Sequence, residues 1–307
     1  MVEIVTIAIP TFKRPRSLAR LLDALANLQT KAQVRVLVAD NDIEQHEGQA
    51  LCRSLENYRW PLTAIIVPER GIAPVRNALV QAALEDGATG FVAMIDDDEW
   101  PAPSWLSEFL RVQAATGADC LQGSILFARG ADDGWAAGSD GLSDIRRPTG
   151  PIAMLQGAGN LFVTHACLES MAAPWFDPAF ALSGGEDREF FVRLQGAGKR
   201  FAWADQAMAY AEVPAVRANL SWVLRRSFSV GNSDMRVLLK HQRGAPMLLR
   251  EIVKIAAALL LSPLAAVILC LVPNRRTAAL RKFCRAAGKL AAIMGAHYNE
   301  YSVIHGE

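Results

Sequence analysis

Short apolar segments alternate with helical patterns over the first 130 residues of the chain. Residues 2–9, 34–39, 63–67 and 91–95 are apolar and rich in Val and Ile, as buried strands are. Between them, apolar residues recur at the three- and four-residue spacing of helices, first at Leu18, Leu21, Leu22, Leu25 and Leu28, and then at Ile72, Val75, Leu79 and Ala82. This alternation predicts an α/β fold with a mostly parallel central sheet flanked by helices.

Polar residues follow these strands directly, where parallel sheets of this kind bind their ligands. Residues 10–15 read Pro-Thr-Phe-Lys-Arg-Pro, residues 40–42 read Asp-Asn-Asp, and residues 69–71 lead into a helix that carries Arg76. Asp after a strand is also an ordinary turn or N-cap residue. An Arg in a first helical turn also pairs with surface carboxylates, so these residues alone leave both interpretations open.

The fourth predicted strand runs straight into Asp96-Asp97-Asp98-Glu99. Carboxylates crowded at one strand end repel one another unless a cation neutralises them. The spacing lets Asp96 and Asp98 point to one side and Asp97 to the other. Since Mg²⁺ and Mn²⁺ prefer oxygen ligands, the pattern favours a divalent metal site over a solvated acidic turn.

A second acidic pair, Glu186-Asp187, follows Gly184-Gly185. The apolar spacing that follows predicts a helix, so the pair lies in its first turn, where the helix dipole favours acidic residues in any case. Two glycines before the pair would also let the backbone pass close to a substrate.

Composition limits the classes of function. With 51% apolar residues in 307, the chain can bury a full core, and its net charge of +1 gives no general attraction to nucleic acid. The five cysteines are scattered and suit a reducing compartment. The basic residues of the amino end follow its apolar run, the reverse of a secretory signal, so we expect the protein in the cytoplasm.

The carboxyl-terminal region changes character. Residues 255–272 are an 18-residue run without charge, interrupted by Pro263 and flanked by basic clusters on both sides. Since a single crossing would place one cluster on the wrong side of a membrane, we expect a re-entrant or interfacial helical pair at the cytoplasmic face of the cell inner membrane. A helix buried against the preceding α/β domain is the alternative. We therefore divide the chain into residues 1–235, with halves 1–130 and 150–235 joined by a surface loop, and a membrane-associating tail of residues 236–307.

Four elements in order resemble family 2 of the inverting glycosyltransferases, which have the type A nucleotide-sugar fold. They are Ile-Pro-Thr-Phe-Lys-Arg at 9–14, Val-Ala-Asp-Asn-Asp at 38–42, Ile-Asp-Asp-Asp at 95–98 and Gly-Glu-Asp at 185–187. The resemblance covers about residues 3–215.

The resemblance implies a role for each matching residue. Thr11 and Asp40 would line the base pocket, and Asp40 would accept from the ring N–H of a pyrimidine, for which we expect uracil. Arg76 would lie near the ribose and phosphates, and Asp96 near the sugar or ribose. Asp98 would bind Mn²⁺ or Mg²⁺ bridging the diphosphate, and Asp187 would be the catalytic base.

Some positions depart from the family pattern. Glu212 stands near the position where many members carry a histidine, and the Gln-x-x-Arg-Trp motif of processive members is missing, which favours addition of a single sugar. Gly157, Gly159 and Asn160 are similar to the acceptor-side segment of the family, with a simple turn as the alternative. The apolar tail favours a lipid-linked oligosaccharide acceptor, as in exopolysaccharide assembly.

Three other functions compete with sugar transfer. A phosphatase with an aspartyl nucleophile also has Asp-x-Asp after a strand, but usually after the first one, whereas here the cluster follows the fourth. A sugar nucleotidyltransferase would need a glycine-rich loop after the first strand, and residues 10–16 contain no glycine. A membrane-bound nucleotide-sugar-binding protein without turnover is the non-enzymatic alternative.

Overall fold

A nine-stranded sheet forms the centre of the computed structural model, which describes residues 3–85, 87, 90–128, 142–213, 217, 219–241, 244–269, 271–272 and 277–299. The strands are β1 Ile4–Thr11, β2 Gln33–Asp40, β3 Leu62–Ile66, β4 Phe91–Met94, β5 Glu99–Pro101, β6 Cys120–Ala128, β7 Gly150–Ile152, β8 Leu161–Thr164 and β9 Phe201–Glu212. The helices are α1 Pro15–Ala26, α2 Glu47–Ser54, α3 Ile72–Glu85, α4 Trp105–Thr116, α5 His165–Glu169, α6 Glu186–Gly196, α7 Leu220–His241, α8 Ala245–Leu269 and α9 Ala278–Ile293. A 3₁₀ turn, Pro178–Phe180, precedes α6.

The strand order is β3-β2-β1-β4-β8-β6-β9-β5. The remaining strand, β7, lies outside this order and pairs with β9. The first four strands of that order are mutually parallel, and β6 and β9 are parallel to each other. The antiparallel strand β8 joins β4 to β6. The predicted α/β fold with a mostly parallel sheet is confirmed, and the carboxyl ends of β1, β2, β3 and β4 share one edge.

Helices cover both faces of the sheet, as the apolar strands require. The leucine face of α1 is buried together with β1, β2 and α4 in one core cluster. The apolar face of α3 is buried with α5 and α6 in a second cluster on the opposite side. Both predicted helical patterns therefore correspond to observed helices.

The second half of the sheet was not predicted strand by strand. Three of its strands, β5, β7 and β8, are only three or four residues long, too short for an alternating pattern to stand out. The predicted connecting loop of residues 130–150 falls mostly outside the described residues. Its described end pairs Ile145 with Ile125 and leads into β7.

Helix α7 joins the catalytic half to the carboxyl-terminal helices. It runs continuously from Leu220 to His241, so the predicted domain boundary at residue 235 falls inside a helix. Its close partner is α9. A side chain at Gly231 of α7 or at Gly288 of α9 would overlap the backbone of the facing helix, and Asn232 donates to the Gly288 carbonyl across the contact.

The prediction that Pro263 divides the apolar segment into a hairpin is wrong. Helix α8 runs without a break through Pro263. A proline inside a helix removes one backbone hydrogen bond, and the surrounding Ala- and Leu-rich sequence has enough helical preference to offset that loss. The helical pair that does form is α8 with α9, where Ile255 packs against Ala286 and Ala292.

Helix α8 is not a buried core helix. Within its most apolar 18 residues the mean hydropathy is 2.4 and only 11% of positions are buried. The exposed apolar residues along it and just beyond it are Leu249, Ile252, Val253, Leu260, Leu261, Leu264, Val267, Ile268 and Leu271. Among the described residues, α8 is the one helix long and apolar enough to cross a membrane, by length and composition alone.

Candidate active site

Polar side chains from four elements meet at the carboxyl edge of the parallel strands. Thr11 at the end of β1 is in register with Asp40 at the end of β2, and Asp40 is in register with Ile66 of β3. The acidic segment after β4 lies beside them, because Thr11 Oγ1 donates to Asp97 Oδ2 at 2.8 Å. The sheet topology thus brings the three strand ends together.

The three consecutive aspartates do different things. Asp97 is buried, accepts from Thr11 and is 3.1 Å from the Arg14 guanidinium. Burial raises the pKa of the Asp97 carboxyl to about 7. Asp96 and Asp98 keep 34% and 27% of their side chains exposed, so these two carboxylates are the ones that face the open side of the edge.

Arginines hold the exposed aspartates in place. Arg14 at 3.0 Å and Arg217 at 3.4 Å both contact Asp98 Oδ2. Arg76 on α3 is buried and bridges Asp96, at 3.0 Å, to Glu186 at the start of α6. This bridge connects the acidic segment after β4 with the helix that carries Asp187.

Asp187 lies in the first turn of α6 and is partly exposed. The two residues before that helix, Gly184 and Gly185, have φ of +72° and +93°, a backbone conformation that glycine adopts without strain. The preceding Glu186 is buried, and burial, followed by the nearby Asp187 charge, raises its pKa to about 7. The turn therefore exposes one carboxylate of the pair and buries the other.

Residues 156–160 cover this acidic region. A Cβ on Gly159 would lie 2.8 Å from Glu99 Oε1 and 3.2 Å from Asp96 Oδ2, and one on Gly157 would lie 3.6 Å from Asp187 Oδ2. Asn160 instead has a structural role, since its amide group donates to the Ser124 and Ala207 carbonyls in the core. The segment thus lies against Glu99, Asp96 and the predicted base Asp187.

Asp40 is fully buried and already engaged. Its Oδ1 accepts from the Asp42 backbone N–H and its Oδ2 from that of Gln49, both at 2.9 Å, which ties the start of α2 to the end of β2. A nucleotide base can reach this carboxylate only if the first turn of α2 moves. The predicted base-pocket residue is therefore a helix anchor in this structure.

Sequence reasoning gave no role to Asn41, the neighbour of Asp40. Its amide donates to the Val67 and Glu69 carbonyls, and its Oδ1 accepts from the Gly71 backbone N–H. These bonds hold the loop between β3 and α3, and with it the helix of Arg76. The sequence feature that could have indicated a role for Asn41 is its position inside the Asp-Asn-Asp motif of residues 40–42.

The donor set of the site fits a divalent cation. Glu99 Oε2 is buried and has no hydrogen-bond partner among the described residues, and burial, then the nearby Asp96 charge, raises the Glu99 pKa well above its usual range. The acidic groups outnumber the arginines that contact them: the carboxylates are Asp96, Asp97, Asp98, Glu99, Glu186 and Asp187, and the arginines are Arg14, Arg76 and Arg217. No three acidic, His or Cys side chains in the described part of the chain converge as a ready-made metal site. A metal here would therefore need ligands from a bound phosphate as well.

Glu212 follows Ala211, which is in register with Glu99, but its side chain pairs outside this cluster. It is at the end of β9, and its exposed carboxylate pairs with Arg20 on α1. Arg20 also stacks 3.3 Å above the Trp100 ring. Among the described contacts, Glu212 makes none with the aspartates after β4.

Comparison with known proteins identifies relatives. Residues 6–174 match the family described as glycosyl transferase family 2. The chain is 30% identical over 249 residues to the succinoglycan biosynthesis protein ExoM of Rhizobium meliloti, with 78% of this chain and 77% of that protein covered. It is 25% identical over 254 residues to the chondroitin synthase of Escherichia coli, with 71% and 36% covered.

Solved structures show a similar fold. The mannosyltransferase PcManGT of Pyrobaculum calidifontis, in complex with GDP-Man and Mn²⁺, has a TM-score of 0.64 at 18% identity, with 95% of this chain and 87% of that one covered. TarS residues 1–349 of S. aureus, in complex with UDP-GlcNAc, has a TM-score of 0.55 at 16% identity, with 97% and 93% covered.

Proposed function

The chain belongs to glycosyl transferase family 2, and from that premise we propose that it transfers a single sugar from a UDP-sugar to an acceptor hydroxyl, with inversion and with a divalent metal. The observation that carries the proposal is the Arg76 bridge, which links Asp96 after β4 to the start of α6. Asp96 and the start of the helix that carries Asp187 are thereby connected through one side chain. Family membership supports glycosyl transfer, and the finer roles below rest on this geometry.

On the donor side, Asp98 would hold the metal and Asp96 would orient the sugar or ribose. Mn²⁺ or Mg²⁺ bound there would stabilise the negative charge that develops on the leaving diphosphate. Arg14 and Arg217, which contact Asp98, would hold phosphate oxygens of the bound donor. The Mn²⁺ present with PcManGT is consistent with this proposal.

On the acceptor side, the exposed carboxylate of Asp187 would act as the general base. It takes the proton of the acceptor hydroxyl while the oxygen bonds to the anomeric carbon. The bond from that carbon to the diphosphate oxygen breaks in the same displacement, and the nucleoside diphosphate leaves. One displacement inverts the anomeric centre.

Thr11 and Asp40 would form the base pocket, and we expect uracil because one carboxylate can accept its ring N–H. The buried position of Asp40 requires the start of α2 to open for this contact. Stronger thermal stabilisation of the purified protein by UDP than by GDP, with Mn²⁺ present, is the expected result. The opposite order would replace uracil with guanine.

The proposed acceptor is a lipid-linked oligosaccharide at the cytoplasmic face of the inner membrane. The exposed apolar face of α8 supports membrane association. The relative ExoM is named for succinoglycan biosynthesis, which supports a role in exopolysaccharide assembly.

A panel of radiolabelled nucleotide sugars, incubated with the full-length protein and membranes from the source cell, tests the function. We expect one UDP-sugar to give label in the organic-extractable lipid, dependent on Mn²⁺ or Mg²⁺. Donor binding with neither transfer nor donor hydrolysis, for every sugar in the panel, would instead indicate a nucleotide-sugar-binding protein.

A further inference from the structure

The turn that carries the proposed base is held from outside by helix α7. Ser233 of α7 packs so closely on Gly185 that a Cβ there would lie 2.8 Å from the Ser233 Cβ. The Ser233 hydroxyl donates to the Ser183 carbonyl at 3.3 Å. Direct contact from one helix therefore covers the two residues on either side of Gly184.

Arg236, one helical turn later, makes the stronger contacts. Its Nη1 donates to Ser183 Oγ at 2.5 Å, and its Nη2 donates to the Ala179 carbonyl at 2.7 Å. The Ser183 hydroxyl in turn donates to the Gly184 carbonyl at 3.1 Å. A hydrogen-bonded chain thus runs from Arg236 through Ser183 to the backbone that sets the direction of Asp187.

Neighbouring contacts keep α7 in register with this turn. Lys240 pairs with Asp177, and His241 Nε2 lies 2.8 Å from Glu189 Oε1 on α6. The Arg236 guanidinium also lies 4.5 Å above the Phe180 ring. Two successive turns of α7 therefore contact both the segment before α6 and α6 itself.

We propose that Ser233 and Arg236 are positioning residues for the reaction, acting through the Ser183–Gly185 turn on Asp187. The proposal rests on the proposed function, because it takes Asp187 as the base. In the described contacts, Ser233 and Arg236 bond to the segment before α6 and not to the acidic segment after β4. Their loss misplaces the base directly and reaches the donor side only through the Glu186–Arg76–Asp96 bridge, so we expect kcat to fall by more than the donor affinity.

A double-mutant cycle on the full-length protein in lipid vesicles tests this. We expect Arg236→Ala to lower kcat about tenfold and to change the donor KM less than about twofold. Ser183→Ala removes only the relaying hydroxyl and should lower kcat in the same direction. Arg236→Lys keeps the positive charge and one donor nitrogen, but it loses the planar guanidinium that reaches two acceptors at once. Its kcat should therefore lie between those of Arg236→Ala and the wild type. Arg285→Ala, which removes the α9 contact to Asp234 on α7, is the matched control and should leave kcat unchanged.

The decisive comparison is made in the Asp187→Asn background. If Arg236 acts through Asp187, Arg236→Ala should cost less than about twofold there, because the base it positions is already gone. A tenfold loss in both backgrounds, or a wild-type kcat in both Arg236→Ala and Ser183→Ala, would overturn the proposal. Full transfer by Asp187→Asn alone would instead refute the assignment of Asp187 as the base in the proposed function.

Discussion

At the scale of single residues, the spacing of carboxylates was the most informative part of the sequence. The order Asp96-Asp97-Asp98 predicted alternating directions, and in the structure Asp97 is buried while its two neighbours remain partly exposed. What the spacing could not show was the set of partners. Arg14 and Arg217 come from distant points of the chain, and only the fold brings them to Asp98.

Asp98→Ala should abolish the metal-dependent part of donor binding and leave the fold intact, since its carboxylate is partly exposed. Isothermal titration of the donor with and without Mn²⁺ measures this. Glu108→Ala, which removes an acidic partner of a surface ion pair on α4, is the matched control and should bind like the wild type. Donor affinity of Asp98→Ala that still rises with Mn²⁺ to the wild-type value would contradict the metal assignment.

Asp40 should matter for stability as well as for the nucleotide. Because its carboxylate accepts the backbone N–H of Asp42 in the loop after β2 and that of Gln49 at the start of α2, Asp40→Ala should lower the free energy of unfolding by about 1–3 kcal/mol. Urea denaturation without nucleotide measures the loss. Glu44→Ala, at an exposed carboxylate paired with Lys13, should change it little. An unchanged stability of Asp40→Ala would mean that α2 does not depend on this anchor.

At the scale of elements, long periodic segments were predictable and short ones were not. The strand and helix patterns up to Ile95 correspond to observed elements because their apolar faces are continuous. Three strands of the second half, β5, β7 and β8, are short, and their places are set by tertiary contacts such as those of Asn160, which no local pattern reveals. The longer strands β6 and β9 were not predicted either. The prediction for the carboxyl-terminal region was wrong for a related reason. Pro263 was expected to break the helix, whereas packing on α9 and the helical preference of the neighbouring residues keep α8 continuous.

The Gly185 turn is the element-scale prediction. With φ of +93° and Ser233 in contact, Gly185→Ala should lower the free energy of unfolding by about 1–3 kcal/mol and reduce transfer. Gly196→Ala, near the end of the same helix and with open space around it, is the control and should be neutral or slightly stabilising. Thermal denaturation and transfer assays of both variants give the comparison. Equal stability of the two variants would show that the turn is not constrained by α7.

At the scale of the whole molecule, the catalytic sheet and the apolar helix α8 are joined by α7 and α9. Some of the basic residues that were expected to attract lipid instead make contacts within the protein. Arg236 bonds to the turn before α6, and Lys289 pairs with Glu251. We therefore expect the exposed apolar residues of α8 to contribute more than charge to the proposed membrane contact.

Leu261→Asp with Leu264→Asp should release the protein from vesicles. Each leucine is about two thirds exposed, at 64% and 65%, and burying such a side chain in lipid is worth about 1.5–3 kcal/mol. We expect vesicle affinity to fall by about 100-fold or more for the pair. Ala114→Asp, on the exposed side of α4, is the control. Sedimentation with vesicles that is unchanged in the double variant would place the membrane contact elsewhere.

Asp187 is the proposed base that activates the acceptor, and the proposed reaction depends on it above all. Asp187→Asn is nearly isosteric, and its transfer rate with saturating UDP-sugar, Mn²⁺ and lipid acceptor is the most direct measurement. We expect donor affinity to be unchanged and the rate to fall by roughly 10² or more, because the amide cannot take the acceptor proton. A near-normal rate would contradict the account and move the role of base to another group.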